Sequence, residues 1–577
     1  MKLIKIILLL FTVSIVHVQG HTAFWENAFR TPSDDVRVGT FWYWVSDNIS
    51  CEGVVADLNA MKKAGINLAF IGFIGPSTHH NANYPYGKVK FMSEEWWNIL
   101  HTALKTASDL DIEIGIFNSP GWSQSGGPWV KPEQSMRYLA STSIEVSGPR
   151  KIEEILPTAS KDFQDVKVLA FKFDRNNLFD MLGSKVVTSD NIHSVSAEEG
   201  ELLQLPLEES YLSLSLPTDT VAQAIMIYPG EFLDTHCTLQ VEEDGTYKVI
   251  KEFSVNRDAS LSYATGFDQK SPVVELFPET KGKEFRLLFN KTKGKSEISS
   301  LILTSAPVIQ RYPGKTFAKI EGKGKMPEMR IDTSLFVNPD EVFDLSECLA
   351  PDGTIHWNVP DGKWIILRMG MISTGAINSP ASPEATGLET DKLSKKHITT
   401  HFEEFLGKIY KRIPAEDRKC WKYTVLDSYE KGGQNITDDM LESFKQCYGY
   451  DPVPFLPTYY GYPVGDMERS ERFLWDMRRW VADKTAYEYV AGLREASHKY
   501  GLRTWLENYG HGGFSAEFLQ YGGQSDEVSS EFGMTGIRQK SVPLPLAHTY
   551  TISHWYGRRH LLMKVGTEAH LNDIREC

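Results

Sequence analysis

Three apolar runs near the start of the chain, Phe41 to Val45, Ile66 to Gly75 and Ile112 to Gly121, are separated by stretches with helical apolar spacing, Glu52 to Ala64 and Ser93 to Leu110. Strand and helix therefore alternate, and a strand that must return parallel to its predecessor needs such a crossover, so a parallel sheet covered by helices is the expected fold. The rhythm resumes late in the chain, with strand candidates at Trp421 to Tyr429, Leu502 to Asn508, Glu527 to Phe532 and Lys564 to Glu568, and an amphipathic helix from about Ser470 to Tyr500. Seven strands result, against the eight that close a (β/α)8 barrel. Between the two halves, from about Ile144 to Gln310, the texture changes to short alternating strands such as Tyr211 to Leu216, Thr238 to Glu243 and Tyr247 to Val255, with Asp244-Gly245 as a hairpin signal. That pattern suits an inserted antiparallel β-sandwich. The expected organisation is a leader at 1–20, first barrel part at 21–143, sandwich at 144–310, a connecting segment packed on the barrel at 311–400, and second barrel part at 401–577.

The chain has 577 residues, 41% of them apolar, which supports sizeable cores. Sixty-one Lys and Arg against 75 Asp and Glu give a net charge of -14, which repels phosphate backbones and disfavours nucleic acid as a partner. Lys2 and Lys5, the apolar run Ile6 to Val16 and the exit Val18-Gln19-Gly20 read as a secretory leader, so a periplasmic or secreted location is expected. No run is long enough for a membrane span. Six scattered cysteines form no CxxC pair, which disfavours zinc, and a Cys420–Cys447 disulfide is an option in an oxidising compartment.

The segment YTVLDSYEKGGQNIT at Tyr423 to Thr437 carries the most chemistry. A run of β-formers ends in Asp427, Ser428 and Glu430 and breaks at Gly432-Gly433, which is how a barrel strand delivers a carboxylate to its loop end. Partial desolvation there raises a carboxyl pKa toward that of a general acid, and Glu430 is the first candidate; capping the next helix is the alternative for both carboxylates. Later strands repeat the placement with Glu507, Glu531 and Glu568. Carboxylates that converge over one mouth can divide the work of proton donor and base that glycosidic cleavage requires. Trp44, Trp122 and Trp505 sit beside strand ends and could stack on sugar rings, with core packing as the alternative; Asp427 and His554 join them as candidate substrate contacts. The run GWSQSGGPW at Gly121 to Trp129 lacks a P-loop ending and reads as a loop that lets backbone approach a ligand, or as a plain tight turn.

At these residues the chain resembles glycoside hydrolase family 106, the inverting α-L-rhamnosidases of plant-glycan and pectin degraders. The motifs that carry the resemblance are FWYWVSDNIS with EGVVADLNAMKKAGI, GWSQSGGPWVKPEQSM, ATGLETDKLS, LDSYEKGGQNIT, YGYDPVPFLP, RFLWDMR and HWYGRRHLLMKVGTEAH, in family order across most of the sequence. The resemblance implies Glu430 as general acid, Glu568 as general base with Glu531 as reserve, Glu507 and Glu531 as sugar or metal contacts, a terminal α-L-rhamnoside of an oligo- or polysaccharide as substrate, and a calcium ion whose ligands the motifs do not assign. Family members continue past GTEAH with a last barrel unit and further β-rich domains, whereas nine residues follow Glu568 here, so the expected barrel is incomplete at its C-terminal end and a non-catalytic glycan-binding relative is the alternative.

Overall fold

The computed structural model describes residues 38–75, 85–173, 202–261, 269–317, 335–510, 514–532 and 562–565, with short pieces at 26–27, 30, 178–180, 186–188 and 194–195. Seven strands form one sheet in chain order: β1 (Gly39–Val45), β2 (Leu68–Ile74), β3 (Glu113–Phe117), β4 (Trp421–Leu426), β5 (Arg503–Glu507), β6 (Glu527–Phe532) and β7 (Leu562–Val565). Every neighbouring pair is parallel, as the alternating pattern predicts. Among the described residues no pairing joins β1 to β7.

The helices that cover this sheet start where the sequence signals them. Ser50 accepts from the Gly53 amide to begin helix Cys51–Lys63, and Ser93 accepts from the Trp96 amide to begin Glu94–Leu110. The second helix buries Trp96, Trp97, Leu100, Ala103, Leu104 and Ala107, a stripe at spacings of three and four that packs on the outer face of the sheet. A long rod between β4 and β5 runs as α-helix Met467–Lys484, a π turn Thr485–Val490 and α-helix Ala491–His498.

Both sheet faces are apolar, because side chains alternate and each face has its own packing partner. Trp42, Trp44, Ile71, Phe73, Ile114, Ile116, Leu426 and Leu506 point toward the helices, while Phe41, Tyr43, Phe70, Phe117, Val425 and Trp505 form an aromatic cluster on the opposite, inner face.

The strands between β3 and β4 are divided over two antiparallel sheets, where the sequence pattern suggested a single sandwich at 144–310. Arg137–Ile155 pairs along its length with Thr354–Ser373, and with Gln164–Lys172 and Phe343–Asp344 these make a four-stranded sheet. A local reading cannot see a pairing of segments some 200 residues apart. Leu139, Leu169, Ile365 and Leu367 of this sheet pack on Ile436, Met440, Phe473, Met477 and Trp480, so it shares a core with the second half of the α/β body. The remaining nine-stranded sheet, which includes Ser210–Pro229, Phe232–Glu243, Thr246–Asp258 and Val273–Lys293, encloses a separate core of Leu212, Ile225, Leu239, Phe277, Phe285 and Phe289.

The Cys420–Cys447 disulfide is not formed. Cys51, Cys237, Cys348, Cys420 and Cys447 are free thiols, and Cys420 Sγ instead donates to the Leu104 carbonyl at 3.2 Å. Among the described residues no helix is long and apolar enough to cross a membrane.

Candidate active site at the carboxyl ends of the parallel strands

Strand alternation places the acidic residues. Leu426 and Leu506 are register partners in β4 and β5 and both face the helices, so the residue after each, Asp427 and Glu507, turns to the inner face. The two carboxylate-bearing positions therefore stand side by side, at the ~4.8 Å spacing of adjacent strands. Both side chains are buried. Glu430, three residues on, is partly exposed, and the Ser428 hydroxyl donates to its Oε1 at 3.0 Å.

The strand exits are tied together beyond the regular sheet. The Asn118 amide donates to the Val425 carbonyl at 2.8 Å, the Tyr429 amide to the Tyr509 carbonyl at 2.9 Å and the Asn508 amide to the Ser529 carbonyl at 2.7 Å. Glu430 thus leaves from a stretch whose backbone is held on its β5 side.

Beneath this exit lie two of the motifs picked out in the sequence. The glycine-rich loop Gly121 to Trp129 does bring its backbone very close to something, but the partner is the segment 378–389 of the same chain. A Cβ on Gly387 would lie 2.1 Å from the Gly127 carbonyl oxygen, and one on Gly126, whose φ is 123°, would lie 2.7 Å from the Leu388 oxygen. Only glycine fits this interlock. It delivers Ser125 to Glu389, 3.0 Å from hydroxyl to Oε2, and the same carboxylate oxygen accepts from Lys392 Nζ at 2.7 Å. Glu389 and Lys392 are 0% and 1% exposed, and the ammonium lies 5.6 Å from the Tyr429 ring centroid and 5.7 Å from that of Tyr489. Lys431, next to Glu430, is buried and donates to Ser379 Oγ. Burial pushes its ammonium pKa down, against the pull of Glu389 and then Glu430.

The same loops are anchored to the four-stranded sheet by a buried guanidinium. Arg137 meets Asp391 at 3.0 Å and Asp438 at 2.7 Å, while Asp391 also accepts from Gln434 and Thr437, both at 2.7 Å. The motifs ATGLETDKLS and GGQNIT are thereby joined to each other and to the first residue of a β-strand. His401 is a structural group. The Trp129 indole can only donate, so Nδ1 of His401 accepts at 2.9 Å and Nε2 carries the proton toward the Asn118 carbonyl at 3.0 Å. Burial lowers its pKa to about 4, which keeps the ring in that neutral form.

Of the aromatic candidates, Trp122 remains half-buried with its ring 6.3 Å from Tyr43 at the open end of the inner face. Trp505, 3% exposed, is wedged against Phe70 and Phe41, and Trp44, 4% exposed, packs edge-on to Trp42 and Phe73 on the helix side; both are in packing positions. The backbone of Glu531 lies on β6 as the register partner of Lys564, while its side chain, Glu568 and His554 lie outside the described residues. Sequence reasoning missed Gln124, Glu389, Lys392 and Lys431, although all four lie in motifs that carried the resemblance. It also missed Asp47, which with Ser46 adopts left-handed backbone at the exit of β1. Burial raises the pKa of its carboxyl, and it lines a cavity of about 460 Å³ with Trp42, Trp44, Asn48 and Lys88. Among the described residues no group of three or more His, Cys, Asp or Glu side chains is placed to hold a metal ion, so the expected calcium finds no ligand set there.

A parallel sheet with clustered carboxylates at its carboxyl edge is an architecture on which glycoside hydrolases are built. The family model for glycoside hydrolase family 106, described as alpha-L-rhamnosidase, matches residues 30–562, and the chain belongs to this family. Among solved structures it is similar to a rhamnosidase from Novosphingobium sp. PP1Y, with a TM-score of 0.79 and 24% identity over 93% of this chain and 52% of that one. A curated relative from Formosa agariphila, named "Putative beta-glucuronidase", is 27% identical over 542 residues, 93% of this chain and 35% of the relative. The chain thus spans about half and about a third of the length of these two proteins.

Proposed function

We propose that the chain is an inverting glycosidase that removes terminal α-L-rhamnose from plant or pectic glycans, in a periplasmic or secreted setting. The observation that carries this reading is the grouping of Asp427, Glu430 and Glu507 at the exits of two adjacent parallel strands, on a chain of the rhamnosidase family. Glu430 is the proton donor: its carboxylic acid proton passes to the glycosidic oxygen as the bond from that oxygen to the anomeric carbon breaks. Glu568 is the base that takes a proton from the water attacking the opposite face, with Glu531 in reserve, which gives a product of inverted configuration. Asp427 and Glu507, on the inner face, accept hydrogen bonds from sugar hydroxyls, and Trp122 offers a ring face to the sugar.

The test is hydrolysis of p-nitrophenyl α-L-rhamnoside, assayed beside the β-glucuronide because of the name carried by the Formosa relative. Glu430→Gln should lower the rhamnosidase rate by about 10²- to 10⁴-fold with the fold intact, the range for loss of a general acid. NMR of the first-formed sugar should show the inverted anomer. Rhamnoside binding without turnover in the wild-type chain would make it a glycan-binding protein and end the catalytic reading.

A further inference from the structure

We infer that Gln124 is a positioning residue for the acid-bearing exit of β4, an inference that rests on the reading of Glu430 as proton donor. Gln124 sits in the glycine-rich loop after β3, fully buried, and its side-chain amide donates from Nε2 to the main-chain carbonyl of Asp427, three residues before Glu430. The amide has one orientation available. The Asp427 carbonyl can only accept, so nitrogen must face it, which turns Oε1 toward Tyr521, whose hydroxyl donates to it at 2.7 Å.

The loop itself is held from two further sides. The main-chain oxygen of Gln124 accepts from the Tyr489 hydroxyl at 2.6 Å and from Asn118 Nδ2 at 2.6 Å. Both tyrosines are buried, and burial keeps their phenol pKa values well above the ordinary one, so they remain donors throughout any working pH range. Gln124 is therefore a fixed post braced by the π turn at Thr485–Val490, by helix Phe518–Gly523 and by the end of β3, and the exit of β4 leans on it. Gln124 touches the backbone that carries the acid, so its effect on the reaction is exerted through placement of Glu430. Displacement of a catalytic group by about 1 Å can cost on the order of 10²-fold in rate.

The experiment compares two rhamnosides of different leaving group on the full chain. A p-nitrophenolate leaves with help from a proton donor, whereas a dinitrophenolate leaves with little need of one. Gln124→Met keeps the side-chain length and removes the donor. It should lower kcat on the p-nitrophenyl substrate by roughly 10- to 100-fold with KM little changed, and lower kcat on the dinitrophenyl substrate by no more than about threefold. Tyr521→Phe, which frees the amide to turn while leaving it present, should show the same split at smaller size, and it decides the matter if Gln124→Met does not fold. Equal losses on both substrates, or no loss on either, overturn the positioning role. Glu430→Gln is run alongside: if it shows the split and the Gln124 and Tyr521 variants do not, only the present inference fails, whereas absence of the split in Glu430→Gln removes the proton-donor reading and this inference with it.

Discussion

The amino ends of β5 and β6 and the carboxyl end of the parallel sheet both carry acidic residues, and they hold them in different ways. At the amino end, Asp526 accepts from the Thr504 amide and from His498, each at 2.9 Å, Glu527 pairs with Arg503, and a chain of hydroxyls runs from Ser525 to Thr504 at 3.0 Å. These partners lie 21 to 28 residues apart in the chain, within one helix-to-strand unit. At the carboxyl end, Ser125 reaches Glu389 across 264 residues, Arg137 reaches Asp391 across 254, and Gln124 reaches Asp427 across 303. The amino ends of β5 and β6 are stitched locally, whereas ahead of β4 His101 meets Asp417 at 2.8 Å across 316 residues; the carboxyl end is assembled from parts separated by both antiparallel sheets. Loop-closure entropy makes such contacts costly to form, so they persist only when several act together, and the network of Gln124, Glu389, Lys392, Arg137 and Asp391 supplies that mutual support.

The comparison is most exposed to a change that breaks one long-range pair. Glu389→Ala leaves the Lys392 ammonium buried without its carboxylate and should destabilise the fold by about 3–5 kcal/mol in urea melts. A loss below about 1 kcal/mol would place this pair among weak surface contacts and dissolve the contrast. A second test uses acid. His401 has its pKa lowered from 6.5 to about 4, so the folded state resists a proton that the unfolded state accepts. Its contribution is intact above pH 6.5 and is lost as pH falls toward 4, at most about 3 kcal/mol in all. In His401→Gln that part of the pH slope should vanish; a slope equal to wild type would assign the acid sensitivity elsewhere. The smallest effect belongs to the amino end: Asp526→Ala should cost about 1–3 kcal/mol through the abandoned Thr504 amide while leaving kcat/KM unchanged. A drop in kcat/KM comparable to that of Glu430→Gln would erase the division of labour between the two ends.

Much of the scaffold was legible because each parallel strand announces itself locally. The run at Phe41 to Val45 became Gly39–Val45, Glu52 to Ala64 became helix Cys51–Lys63, and Ser470 to Tyr500 became the rod from Met467 to His498. The position of Asp427 and Glu430 past a strand end was legible too, since a strand that stops at Leu426 must hand its next residues to a loop. What resisted was everything decided by distant contact. Trp44 and Trp505 look alike in sequence as candidate ring platforms, but a parallel sheet buries both of its faces, and both indoles went to packing. Gly387 and Gly127 meet because two loops cross, and no periodicity within either segment records the crossing.

The π turn at Thr485–Val490 carries one residue more than a regular α turn, which rotates all that follows by about 100° relative to the helix before it. Deleting a single residue there would straighten the rod into ordinary pitch, yet it would swing Tyr489 away from the Gln124 carbonyl and carry the whole span up to His498 out of phase with β5. Insertions and deletions in this rod should accordingly be tolerated only in whole turns, a rule that natural variation or directed scanning of its length can put to use.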